Sequence, residues 1–519
     1  MKQFYHILIL ILIVIIALPL GSCSGTGHMG KAKKTYDIGE YYRASGTLNR
    51  VYRREKNKYY KGEISYYLGH CYRNINQPRR AASAFSRAIR YEYPEIKTLL
   101  YQAQELQKTG KFEDAIVLYD QYMAKVFGDQ LAYNGKASCN LALNPPPPTR
   151  HKIEEQRKLN SRNSDFAPII DPDDPSKLYF TSLRYEKKKR RQESRITGQG
   201  YSTIYTVIHN SRGEWMTPEL FLEEESDAQW EDGVLSMTAD GREAYFTRTR
   251  FDSPEPLGAE IWTIKKMGGR WGNATKVVLG ADSLIYAHPA VSPDGKTLYF
   301  VSDMPGGKGG KDIWMSTRDG DKWGVPINLG PDINTAGDEM FPYVRDNGLL
   351  YFSSNGQIGY GGLDIFEAEH IEGDRWKIHN MGQPINSMSD DFGITFHKNR
   401  EAGYFSSSRN NSRGIDNIYS FEIPVIQPVL SGLVSIGNQQ PLPENTKARI
   451  IGTDGTNTTI TLQPSGIFNL LLKPDNNYVI QVSAPGYYNH TERINTNGLT
   501  ESKKFEVQIN LKPVTQNVP

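Results

Sequence analysis

Two periodicities divide the chain. From about residue 32 to residue 144, apolar positions recur at helical spacing, as in "YYLGHCYRNINQPRRAASAFSRAIRYEYP". Small residues (Gly69, Ala81, Ala88) alternate there with large ones (Tyr72, Phe85), as in helices that pack closely in pairs. A second copy, "YQAQELQKTGKFEDAIVLYDQYM", puts Ala115 34 residues after Ala81. A looser copy, "YDIGEYYRASGTLNRVYRRE", precedes them, and a last helix is expected around "LAYNGKASCNLAL". "NPPPPTR", Asn144 to Arg150, then reads as a stiff extended linker.

From residue 158 to residue 424 the pattern is that of strands. Aromatic cores recur as "KLYFTS", "EAYFTR", "TLYFVS", "LLYFSS" and "AGYFSS", centred on Phe180, Phe246, Phe300, Phe352 and Phe405, at steps of 66, 54, 52 and 53 residues. Turn chemistry precedes each core, as in "SPDGKT" and "RDNG". A second strand follows at Ile204-Tyr205, Ile261-Trp262, Ile313-Trp314, Ile365-Phe366 and Ile418-Tyr419, and a tryptophan follows the first four of these. A period near 53 with several short strands per unit predicts a β-propeller of five blades, with six as the alternative if the long first unit holds a further element. "KLNSRNSDFAP", Lys158 to Pro168, reads like "NLGPDINTAGDEMFP", so an N-terminal strand is expected to complete the last blade and close the ring.

Residues 427 to 513 alternate apolar and polar positions between frequent turns, which predicts a small β-sandwich. The fold class expected is therefore multidomain: helical repeats, propeller, then sandwich.

The helical copies fit the tetratricopeptide pattern at Leu68-Gly69, Tyr72, Ala81, Phe85, Ala88 and Pro94. The β repeats, with "SPDGKTLYFVS" at 292 to 302, resemble the WD40-like PD40 family shared with the propeller of TolB. The last segment resembles the carboxypeptidase-regulatory-like fold at Ser431-Gly432, Pro441-Leu442, Ser465-Gly466-Ile467-Phe468, Tyr478 and Pro485-Gly486-Tyr487. That resemblance implies an interaction or spacer module and no peptidase activity.

The N-terminus reads as a targeting segment. Lys2 precedes an apolar run from Ile7 to Leu20, short for a spanning helix and typical of a signal peptide. "LGSC", Leu20 to Cys23, resembles the bacterial lipoprotein lipobox, which implies cleavage before Cys23 and its lipidation; an uncleaved anchor is the alternative. By the same resemblance, "SGTGHMGKAKK" without an early acidic residue implies an outer-membrane protein facing the periplasm. The expected organisation is a signal peptide (1–22), a lipidated linker (23–31), tetratricopeptide-like repeats (32–144), a Pro-rich linker (145–157), the propeller (158–424), the regulatory-like sandwich (427–513) and a tail (514–519).

Net charge is +3 over 519 residues, too small to argue for nucleic acid. Past Cys23 only Cys71 and Cys139 remain, so no disulfide framework exists. They lie 68 residues apart, two helical repeats, and are expected to be unpaired, buried thiols.

Candidate chemistry is sparse. "GGKGGKDIW", Gly306 to Trp314, superficially suggests a phosphate loop, but Asp312 stands where Ser or Thr is required and Pro305 where the first glycine belongs. The same ending recurs in "PLGAEIW" and "GYGGLDIF", so the stretch reads as a repeated scaffold loop. Neither a G-x-S-x-G elbow nor H-E-x-x-H occurs. Asp173, Asp174, Asp240, Asp294 and Asp346 fall in turns, where such side chains cap backbone groups. No catalytic residue, metal ligand or cofactor is assigned. The insertion "RYEKKKRRQESR" carries Lys187, Lys188, Lys189, Arg190 and Arg191, either a solvated loop or a basic surface for lipid headgroups, lipopolysaccharide phosphates or an acidic partner.

The order of modules resembles periplasmic lipoproteins of Bacteroidota-type envelopes, including the PorE-like component of the type IX secretion system. It departs from that family in having no OmpA-like segment after "INLKPVTQNVP", which puts peptidoglycan binding in question. The resemblance implies a non-enzymatic, membrane-tethered scaffold for envelope proteins of a secretion or gliding machine. The alternative is an accessory lipoprotein that binds glycan or peptide at the propeller mouth.

Overall fold

Beyond Leu143 every element of the computed structural model is a strand or turn, and helix is confined to seven segments among the described residues. Those residues are 23–184, 193–222, 230–250, 258–411, 413–437 and 440–514. They form two compact units, Met1–Glu422 and Ile423–Pro519.

The helices are α1 (Cys23–Asp37), α2 (Tyr41–Arg54), α3 (Lys58–Asn74), α4 (Pro78–Arg90), α5 (Lys97–Gln107), α6 (Phe112–Met123) and α7 (Gln130–Leu143). Each packs on the next. Asn57 and Asp129 cap α3 and α7 by accepting hydrogen bonds from first-turn amides. Gly69 lets α4 approach α3: a Cβ there would sit 2.4 Å from the Phe85 ring. No described helix is long and apolar enough to cross a membrane.

Five antiparallel sheets follow. The first holds Asp165–Ile170, Lys177–Ser182, Thr203–Ile208 and Glu219–Leu220. The second holds Trp230–Met237, Glu243–Arg250 and Glu260–Met267, with Thr275–Lys276 outermost. The third holds Tyr286–Val291, Thr297–Ser302 and Asp312–Asp319 with two short outer pairings, and the fourth runs from Glu339–Val344 to Arg375–Asn380. The fifth holds Asp391–Phe396, Ala402–Ser407 and Asn417–Glu422, and Lys152–Glu155 joins it as the outer strand. That strand lies upstream of Lys158–Pro168, and it closes the ring between the two ends of the repeat array. The innermost strands touch in cyclic order, the fifth sheet's against the first. Each sheet is thus a blade of a β-propeller.

The repeated aromatics hold the blades together. Phe180, Phe246, Phe300, Phe352 and Phe405 are each fully buried. Each sits opposite the aromatic of the third strand: Tyr205, Trp262, Trp314, Phe366 and Tyr419. Such cross-strand pairs fix register as well as adding burial. Every innermost strand carries a bulge at its third or fifth residue, where Ala167, Val234, His288, Phe341 and Gly393 have φ between 48° and 60°. A hydroxyl of the preceding blade satisfies the amide freed there in three cases: Ser406 for Ala167, Thr181 for Val234 and Thr247 for His288. Val301 stands at the corresponding place before Phe341, whose amide donates instead to His288 Nδ1 at 3.3 Å.

The expected fold class is corrected on its helical part. A tetratricopeptide domain is not supported: the chain is predominantly β, built of many small sheets, and its helices belong to the same compact unit as the propeller. The small-large pattern at Gly69, Tyr72, Ala81 and Phe85 reports close helix packing, which any antiparallel helix layer needs. Here that layer also hydrogen-bonds loops of the propeller. Tyr42 N donates to Ile196 O at 3.0 Å, and Asn134 Nδ2 to Gly356 O at 2.7 Å.

Residues from Ile423 on form a three-stranded and a four-stranded sheet around one core, to which Phe468, Tyr478, Ile450 and Leu430 contribute. Val429–Ile436 and Lys504–Leu511 pair in parallel along their full length.

Candidate functional site

The glycine-acid loops of the third and fourth blades open on the mouth of the ring that the helices cover, where Lys311 and Gly361 face α3 and α5. Asp312 takes the backbone N–H of Lys308 at 2.5 Å and of Gly309 at 3.1 Å. "GGKGGKDIW" therefore closes on its own aspartate, and the amides a phosphate would need are already bound. A Cβ at Gly309 would lie 2.2 Å from Gly337 O, so the glycine is set by an adjoining loop.

A second repeated device latches neighbouring blades. Asn160, Asn334 and Asn386 each accept from the amide of the third-strand isoleucine (Ile418, Ile313, Ile365) and donate back to its carbonyl. The hydroxy residue after each asparagine binds the acid four positions on: Ser161 with Asp165, Thr335 with Glu339, Ser387 with Asp391. An arginine pairs with the acid at the matching position in three blades. Arg184 pairs with Asp165 at 2.7 Å, Arg248 with Asp232 at 2.8 Å, and Arg409 with Asp391. Each lies over its blade's aromatic pair, Arg409 at 5.1 Å from Phe405 and 5.4 Å from Tyr419. In the fourth blade Glu339 has no arginine and is held by the Ser354 hydroxyl at 2.6 Å, the Thr335 hydroxyl at 2.7 Å and the Thr335 amide at 2.8 Å, and burial pushes its carboxyl up to about 7.

Between the helices and the fourth and fifth blades lies a polar cavity of about 310 Å³. Lys108, at the end of α5, reaches into it. Its ammonium donates to Asp390 Oδ2 at 2.8 Å and to Asn76 Oδ1 at 3.1 Å. Burial alone would lower the Lys108 pKa, but the Asp390 and Glu105 carboxylates outweigh it and hold it above its ordinary value. Glu105 is 2% exposed and faces Arg73 at 3.4 Å; burial still holds its carboxyl above the usual range. Tyr119 donates to Gln107, which donates to Gly361 O at 3.0 Å, and Gly359 N donates to Ser138 Oγ at 3.0 Å. Gly414 completes the approach: with φ +66°, it brings the chain so close to Asn76 O that no Cβ fits.

Two further carboxylates border this cavity. Asp416 is partly buried, and its carboxyl is pushed up to about 7, by desolvation first and by the Asp390 charge second. Asp364 is 2% exposed, and burial together with the Asp391 charge raises its carboxyl far above the usual carboxylate range.

The turn acids lie at the opposite mouth and cap their own turns. Asp174 binds Ser176, Asp240 binds Thr238 and the Arg242 amide, and Asp294 binds Ser292 and the Lys296 amide. Asp173 and Asp346 are exposed there. Lys187, Lys188, Lys189, Arg190 and Arg191 lie outside the described residues, and of Cys23 only the backbone, at the start of α1, is described. Cys71 and Cys139 are free and buried, and burial pushes both thiols up to about 12, which makes them inert. Among the described residues no group of three or more His, Cys, Asp or Glu side chains is placed to hold a metal. The cavity residues escaped the sequence reading because Lys108 and Asp390 are 282 positions apart. The only local signals are the doubled acid in "SDDFG" and the match of Asp364 to Asp312 in the loop repeat.

No family model matches the chain, and no curated protein matches it. Among solved structures it is similar to TolB from Acinetobacter baumannii, with 17% identity, 51% of this chain and 55% of that chain covered, and a TM-score of 0.30. A putative TolB from Agrobacterium tumefaciens is 17% identical over 53% of this chain and 98% of that one, with a TM-score of 0.27. A prolyl endopeptidase is 11% identical over 59% of this chain and 37% of that one, also at 0.27. The chain thus spans about half the length of the first. These likenesses run alongside the PD40 resemblance and include both TolB proteins and a peptidase. At such scores they assign neither activity nor partner. They lend nothing to the tetratricopeptide, PorE-like or regulatory-like resemblances.

Proposed function

We propose that the protein is a non-enzymatic scaffold that holds protein partners at a bacterial envelope. In this reading it is anchored by lipid on Cys23 to the outer membrane, faces the periplasm, and serves a secretion machine of the type IX kind or a gliding machine. The observation that carries the proposal is the helical layer latched over one mouth of the ring through Lys108 and Asp390. That layer occupies the mouth and leaves the opposite one, with turns from all five blades, as the presented surface. A depression of about 210 Å³ lies there among Ile169, Pro172, Pro293, Val344 and Phe396, with exposed Asp346 and Lys398 beside it. The ring centre is filled: Phe341 stacks on His288 at 4.0 Å and lies 4.5 Å from Phe392. A partner therefore meets a shallow mixed surface, which suits a protein better than a sugar threaded into the axis. The buried carboxylates Asp165, Glu339 and Asp391 are tied to hydroxyls and amides of their own loops, which gives them a structural use.

The test is a mild-detergent pull-down from native envelopes, comparing wild type with Cys23→Ala. Outer-membrane and secretion-machine proteins are expected with wild type and lost with the variant. Recovery of the protein alone, while the purified chain binds soluble glycan or peptide, would overturn the scaffold and favour an accessory binding lipoprotein. Peptidoglycan and nucleic acid are not among the proposed partners.

A further inference from the structure

The internal repeat supplies its own control for one side chain. Asp312 in the third blade and Asp364 in the fourth stand at the same position, at the start of the third strand. Asp312 is fully used: Oδ1 accepts from Gly309 N, and Oδ2 accepts from Lys308 N and from Asn328 Nδ2 at 2.9 Å. In the fourth blade only Oδ2 of Asp364 is used, by the amides of Tyr360 at 2.9 Å and Gly361 at 3.1 Å. Asn380, the counterpart of Asn328, turns instead to Ile358 O. Asp364 borders the 310 Å³ cavity, and its Oδ1 is buried and accepts no hydrogen bond from any described residue. A buried carboxylate oxygen left unpaired is costly, so its retention calls for a partner.

The charges around the cavity indicate the sign of that partner. Glu105, Asp338, Asp364, Asp390 and Asp416 border it, against Arg73, Lys108 and Lys311. Each cation is engaged: Arg73 with Glu105, Lys108 with Asp390, Lys311 with Asp338 at 3.5 Å. Asp364 and Asp416 make no ion pair with a described residue, although Lys108 lies near enough to Asp416 for its charge to act on it. We propose that this cavity binds a primary ammonium group, with Asp364 Oδ1 as its anchor and Asp416 as a second carboxylate. An ammonium carries three donors and no acceptor, which matches carboxylate oxygens, and the Asn355 and Gln357 side chains also border the space. The cavity is at the small end of ligand sites, sized for an ammonium on a short carbon chain. The ammonium has two sources, a free alkyl diamine or a lysine side chain of a protein partner.

Calorimetric titration of the full chain at pH 7.5 tests this, with 1,4-diaminobutane in one arm and Nα-acetyl-lysine methylamide in the other. Saturable binding of the diamine supports a small-molecule ligand, and binding of the lysine derivative alone supports a partner's side chain. In either case Asp364→Asn is expected to weaken binding at least about tenfold. Its amide oxygen still serves the Tyr360 and Gly361 amides, so the loop is kept. Asp312→Asn, at the matching position away from the cavity, is expected to leave binding unchanged. Absence of saturable binding in both arms overturns the proposal. So does unchanged binding by Asp364→Asn, or an equal loss with Asp312→Asn.

Discussion

Glu339 and Asp416 show how burial sets chemistry at single residues. Both carboxyls are pushed up to about 7, by burial first. In the unfolded chain they titrate at about 4. Between those values the folded form still holds a proton that the unfolded form has released. Each group therefore stabilises the fold less as pH rises from about 4 to 7, and the loss is complete above the folded value. Thermal melts at pH 4.5 and 7.5 are expected to show a smaller drop in Tm for the Glu339→Gln, Asp416→Asn double variant than for wild type. An unchanged drop would mean that these groups titrate normally. Asp174 lies at the other extreme: it is nearly fully solvated, and the Ser176 hydroxyl and amide keep its carboxyl below the usual range. Its stabilising contribution is present at neutral pH and lost on acidification.

At the scale of the element, a blade is a buried aromatic pair with a charged latch laid over it. Arg409 donates to Ser407 Oγ and Pro384 O, each at 2.7 Å, as well as to Asp391, which is fully buried. Removing the arginine leaves that carboxylate uncompensated. Arg409→Ala is expected to destabilise the protein by ~3–5 kcal/mol in denaturant melts. Lys136→Ala, which breaks a solvent-facing pair with Asp120, is expected to change stability by less than ~1 kcal/mol. Equal effects would mean that the latch is not a buried pair energetically. The strand cores were legible in the sequence because a period-2 pattern around each phenylalanine is a local property. The closing strand was harder to place. Lys152–Glu155 has Ile153 as its one apolar residue, as an outer edge needs no more, so its pattern does not announce a strand.

For the whole molecule, the open question is what holds the helices to the ring. Polar contacts across that boundary include Lys108 with Asp390, Gln107 with Gly361, Asn134 with Gly356, Ser138 with Gly359, Tyr42 with Ile196 and Arg195 with Glu40. The connecting chain is pinned in turn, since Thr149 donates twice to Gln383 O. Lys108→Ala would leave Asp390 buried without its ammonium. It is expected to raise amide hydrogen exchange in α5 to α7 and in the 355–363 loop while the blade strands keep their protection. Uniform protection would place the hold elsewhere.

The sequence by itself determined the repeating parts: the number and spacing of aromatic strand cores, the turn chemistry between them, and the scaffold nature of the glycine-acid loops. Each depends on residues within a few positions of one another, where periodicity and steric demand act directly. Only the tertiary structure decided that the helices are a layer on the propeller rather than a domain of repeats. Helical spacing reports that a face is buried and says nothing of what buries it. The cavity at Asp364 and Asp416 was likewise beyond reach, because its charges come from α3, the end of α5 and three blades and acquire their character only from being enclosed together.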